Sequence, residues 1–99
     1  MESGVRRIRY EVTGYVQAVG YRRYVEKLAK DIGDITGFAC NTVYGSVRGE
    51  AQTEFPDALN RFVEGLRVGT EQSKIENVEI NNMPALPNET EFTIKKGVF

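Results

Sequence analysis

The 99-residue sequence predicts an α+β fold, with two helices on one face of an antiparallel sheet, and three features lead there. Four stretches alternate along the chain with the two-residue period of a half-covered strand, a fifth reads as a short strand beside them, and two stretches repeat apolar residues at helical spacing. Their order along the chain is β-α-β-β-α-β-β.

In the first strand Ile8, Tyr10 and Val12 alternate with Arg7, Arg9, Glu11 and Thr13, and Gly14 closes it. A helix follows, its stripe formed by Val25, Leu28, Ala29 and Ile32 between charged residues, and Gly33 stops it. Ile35 to Thr42 and Val43 to Thr53 read as two strands joined by a hairpin turn near Gly45. Pro56 opens a second helix carrying Ala58, Leu59, Phe62, Val63 and Leu66, which Gly65 and Gly69 are expected to end. Val78 and Ile80, then Phe92 and Ile94, mark two more strands on either side of a turn region from Pro84 to Asn88. This is a split βαβ, ferredoxin-like sandwich, expected as a single domain over residues 1–99.

Composition removes several chemistries. With no His and one cysteine, Cys40, the chain offers no histidine base, no His metal site, no internal disulfide and no Cys-rich metal site. No apolar run approaches the roughly 20 residues of a membrane span, and the first residues lack a signal peptide's apolar stretch. A soluble, reducing, cytoplasmic setting is therefore expected. Net charge is −1, divided as +2 over residues 1–50 and −3 over 51–99, so an anion belongs with the first half.

Familiar motifs fail on their spacing. Gly14 and Gly20 have five residues between them and Tyr21-Arg22 after them, which is not a Walker loop, and six residues beyond Cys40 stands Ser46 rather than the arginine of a cysteine phosphatase. Cys40 reads as a small buried hydrophobe. Asn88-Glu89-Thr90 is a chance glycosylation triplet, and Glu76, Glu79, Glu89 and Glu91 read as wet strand faces. Gly37-Phe38-Ala39 matches the centre of an RNA-recognition signature, but the leading basic residue and the later aromatics are missing.

The segment from Gly14 to Arg22 joins a strand to a helix amino terminus. Unpaired backbone N–H groups and the positive end of the helix dipole favour a small anion there. Gly20 permits a close backbone approach, and the guanidinium of Arg22 matches two phosphate oxygens at once. A plain turn followed by a solvated arginine is the competing reading of these residues alone.

Val16-Gln17-Ala18-Val19-Gly20-Tyr21-Arg22 closely resembles the Val-Gln-Gly-Val-Gly-Phe-Arg signature of the acylphosphatase family, with Gly14 two residues ahead as in that family. Thr36-Gly37-Phe38-Ala39-Cys40-Asn41 is similar to a second block, Thr-Gly-Trp-Val-Arg-Asn, and the likeness extends over essentially the whole chain. The resemblance implies that Arg22 is the catalytic arginine and binds the substrate phosphate together with the backbone amides of Gln17, Ala18, Val19, Gly20, Tyr21 and Arg22. It implies that Asn41 orients the attacking water. Ala18 departs from the family's glycine, and a left-handed backbone there would cost roughly 1–2 kcal/mol.

The expected activity is hydrolysis of the carboxyl–phosphate bond of acyl phosphates, metal-independent and without a cofactor. The expected partners are a small acyl phosphate and inorganic phosphate, as product or inhibitor, with no nucleic acid, no membrane and a monomeric chain. The alternative is a non-catalytic module of the same fold that holds phosphate, carbamoyl phosphate or RNA. Lys95 to Phe99 could either fray or pack beside the loop.

Overall fold

The computed structural model describes residues 4–99. Strand β1 (Arg6–Tyr15) leads to α1 (Tyr21–Ile32), β2 (Thr36–Asn41), β3 (Val47–Thr53), α2 (Pro56–Val68), β4 (Lys74–Met83) and β5 (Phe92–Val98). The strands form one sheet in the order β4-β1-β3-β2-β5. Alternation in β1 sends Ile8, Tyr10 and Val12 to the helix-covered side, where they join Val25, Ala29, Phe62 and Leu66 in the core. Tyr10, Phe62 and Phe92 stack edge to face or tilted at centroid separations of 5.5 and 5.8 Å.

Three boundaries differ from the sequence expectation. Val43 to Ser46 form the turn rather than the start of β3, held by the Thr42 N–H donating to the Ser46 carbonyl at 3.0 Å. α2 runs through Gly65, because a side chain there would meet Leu28 of α1 at 2.5 Å, so that glycine serves close helix packing rather than helix termination. The sheet is also mixed rather than wholly antiparallel. β4 and β5 lie on opposite edges, so residues 84–91 cross the open face, and β5 then runs parallel to β2 toward the same end of the sheet.

Side-chain polar groups fasten that crossing. The Gln52 carboxamide exchanges two hydrogen bonds with the Leu86 backbone, each 2.9 Å, and the buried Arg7 guanidinium donates to both Glu50 and Glu89. Burial alone would push the Glu89 carboxyl up, but hydrogen bonds from Arg7 and Thr36 and the Arg7 charge hold it below its ordinary value.

Two tyrosines fix the start of α1. Tyr21 donates its hydroxyl to the Leu66 carbonyl at 2.7 Å and Tyr24 donates to the Gly65 carbonyl at 2.6 Å, satisfying acceptors in the last turns of α2. The next residue after the buried Tyr21 is Arg22, so core packing sets where that arginine begins.

Candidate active site

The loop from Val16 to Gly20 turns the chain from β1 into α1. Gly20 caps the helix in a left-handed conformation, φ 75°, and supplies no side chain to the first-turn amides. Ala18 is left-handed as well, φ 59°, a conformation that costs an alanine roughly 1–2 kcal/mol. Arg22 and Arg23 stand in the first turn with no acidic residue beside them. Cations at a helix amino terminus oppose the dipole, an arrangement relieved by an anion lying between them and the amides.

A cleft of about 370 Å³ opens at this point, lined by Ala18, Gly20, Tyr21, Arg22 and Asn41 together with residues of β5. Asn41 comes to it from the last position of β2. Like Ala39 it faces the helix side of the sheet, and it stands where β2 ends beside the start of α1. Its Oδ1 is buried with no hydrogen-bond partner among the described residues, an open acceptor at the edge of the cleft. The Arg22 guanidinium reaches the Lys95 carbonyl, Nη1 to O 3.4 Å, and the Phe99 N–H donates to the Asn41 carbonyl at 2.9 Å. The carboxy-terminal residues thus pack beside the loop.

Gln17 and Val19 send their side chains elsewhere. Gln17 Nε2 donates to the carbonyls of Thr42 and Ser46 at 2.9 and 3.0 Å, across the turn after Asn41, while Val19 packs against the core. Cys40 is buried, and burial pushes its thiol up although the charges of Arg48, Lys95 and Arg22 pull against it. It is held as a neutral thiol. The Phe38 ring on the open face lies beneath the Lys95 ammonium, 3.9 Å from its centroid.

Arg23, Ile94, Lys96 and Gly97 also line the cleft. The sequence leaves the placement of Lys95 to Phe99 open and carries no signal for Arg23 or Ile94, because nothing in local periodicity says which strand end β5 will join. Among the described residues no three His, Cys, Asp or Glu side chains are placed to hold a metal ion, and no helix is long and apolar enough to cross a membrane.

Fold and cleft define the class: a split βαβ protein whose first crossover loop and helix terminus gather positive charge around an open asparagine acceptor. The family model for acylphosphatase matches residues 8–94. Acylphosphatase-1 of Gallus gallus is 37% identical over 97 residues, covering 94% of this chain and 95% of the relative. Among solved structures, the acylphosphatase of Bacillus subtilis superposes with TM-score 0.85 at 28% identity, covering 92% of this chain and 99% of that one. An acylphosphatase from Coxiella burnetii gives 0.83 at 27%, covering 92% and 93%. The chain belongs to the acylphosphatase family, enzymes that hydrolyse acyl phosphates to a carboxylate and inorganic phosphate.

Proposed function

We propose that Arg22 and the loop amides from Gln17 to Arg22 hold the phosphoryl group while Asn41 orients the water that attacks it. The observation that carries this reading is the buried, unpartnered Oδ1 of Asn41 at the edge of the cleft that Arg22 also lines. An acceptor of that kind takes one hydrogen of a water and turns its lone pair toward phosphorus. Arg22 supplies a two-pronged positive partner for the equatorial oxygens, and the first-turn amides add donors that need no reorganisation during the reaction.

The leaving group explains why so few residues suffice. An acyl phosphate expels a carboxylate, whose conjugate acid has a pKa of about 4, so no general acid is required. Positioning and charge stabilisation carry the reaction, and neither requires a metal. A phosphate monoester of an aliphatic alcohol must expel an alkoxide, which needs a proton. Among the described residues the cleft is lined by no carboxyl, imidazole or thiol acid to give one, and its Arg and Lys cations are weak acids.

The accompanying reading is one acylphosphatase-like unit over residues 1–99, monomeric and cytoplasmic, without nucleic-acid or membrane partners. The family match over 8–94, the single unpaired cysteine and the net charge of −1 support it. Hydrolysis assayed in chelator with benzoyl phosphate and with glycerol phosphate tests the chemistry. Turnover of the first and not the second is expected; equal turnover of both would overturn the mechanism.

A further inference from the structure

The cleft holds more positive charge than one phosphoryl group uses. Arg22, Arg23 and Lys96 all line it, and none of its lining residues is acidic. Arg22 with the helix terminus already matches a phosphate, so Arg23 and Lys96 are left over.

Lys96 arrives there through a specific backbone device. In the parallel pairing of β2 with β5, Ala39 lies opposite Ile94 and Asn41 opposite Val98, so Cys40 alone faces Lys95, Lys96 and Gly97. Two extra residues bulge out of β5, and Gly97 accommodates the turn with φ 98°. Alternation then separates the two lysines. Lys95 lies over the Phe38 ring on the open face, whereas Lys96 lines the cleft on the helix side beside Ile94. The same bulge carries the Lys95 carbonyl that accepts from Arg22.

We propose that Lys96, assisted by Arg23, is a specificity-determining residue that binds a second anionic group on the acyl moiety, so that the favoured substrates are acyl phosphates of dicarboxylic acids. This rests on the phosphate position assigned to Arg22 above. A neutral acyl group gains nothing from the two extra cations. One ending in a carboxylate pairs with Lys96 while its chain lies on the apolar surface of Ile94 and Val16.

Succinyl phosphate carries a carboxymethyl group where acetyl phosphate has a methyl hydrogen, and the change that Lys96→Gln makes in their ratio on the full chain reads the carboxylate. The ratio of kcat/KM for succinyl over acetyl phosphate falls about fivefold, as for an exposed ion pair, and the fall shrinks with added salt. Lys96→Glu lowers the ratio further. A ratio unchanged by Lys96→Gln, whether both constants hold or both drop together, overturns the proposal.

Binding supplies an arm that needs no turnover. Acetonylphosphonate and 5-phosphonolevulinate replace the scissile oxygen by methylene, and calorimetry measures both. Lys96→Gln weakens only the second, and equal weakening of the two contradicts the proposal. Arg22→Gln weakens both; if it weakens neither, the phosphate position itself is wrong, a failure distinct from that of Lys96.

Discussion

Gln17 Nε2 lies 2.9 Å from the carbonyl oxygen of Thr42, so the loop that precedes α1 is tied to the turn that follows Asn41. The two halves of the site come from different connections of the fold, the β1–α1 loop and the β2–β3 hairpin, and this amide is a direct bridge between them. A second bond from the same nitrogen to the Ser46 carbonyl, 3.0 Å, closes the clamp on the far side of the turn.

Replacing Gln17 by Leu keeps bulk and removes the bridge. The expected result is a fall in kcat of about tenfold, because a small displacement of Asn41 is costly in an oriented reaction. Loss of stability should be about 1–2 kcal/mol, as two carbonyls lose a donor. Steady-state kinetics and urea unfolding check both, and unchanged kcat with lowered stability would reduce the clamp to a structural role.

Ala18 holds a left-handed backbone, φ 59°, in the loop beside the cleft. Ala18→Gly removes a strain of roughly 1–2 kcal/mol and gives back about 0.5–1 kcal/mol in unfolded-chain entropy. A small net stabilisation is predicted, with tighter inhibition by inorganic phosphate as the loop amides relax toward the anion. Destabilisation on urea unfolding would show that the methyl contributes packing that outweighs the strain.

Arg7 sits almost wholly buried between Glu50 and Glu89, joining β1, β3 and the 84–91 crossing. Arg7→Met should cost about 3 kcal/mol, since two carboxylates are left facing each other without their cation. Glu89 gives the same network an acid dependence. Its folded-state pKa lies below the ordinary value of 4.5, so its stabilisation is complete above that value and is lost as pH falls through the folded-state pKa. The melting temperature should therefore decline on acidification below about pH 4.5, less steeply in Glu89→Gln. Equal slopes for the two proteins would remove Glu89 from the account.

Much of this architecture was legible in the sequence, and the exceptions have physical causes. β1 and α1 were readable because one face of each is covered, which writes the period of two or of 3.6 into the apolar residues. α2 reached past Gly65 because Leu28 of another helix occupies the space a side chain would take, a relation no local pattern contains. The parallel pairing of β5 depended on a crossing secured by Arg7 and Gln52, two polar strand residues whose local pattern names no partner.

The site divides in the same way. Arg22 and Asn41 were readable because each stands in a short block of matching residues, and the structure brings both to one cleft. Lys96 was not, since a two-residue bulge opposite Cys40 decides its direction. Tyr21 looked like a loop residue whose amide mattered. Its ring and hydroxyl instead anchor the first turn against α2 through Leu66.

The central claim is a division of labour, with Arg22 gripping phosphate and Asn41 aiming water. Measuring kcat for benzoyl phosphate and the inhibition constant of inorganic phosphate on Asn41→Ala tests it most directly. A kcat lowered by about a hundredfold with phosphate inhibition unchanged is the predicted result. Phosphate affinity lost while turnover survives would contradict it and move Asn41 from the water to the anion.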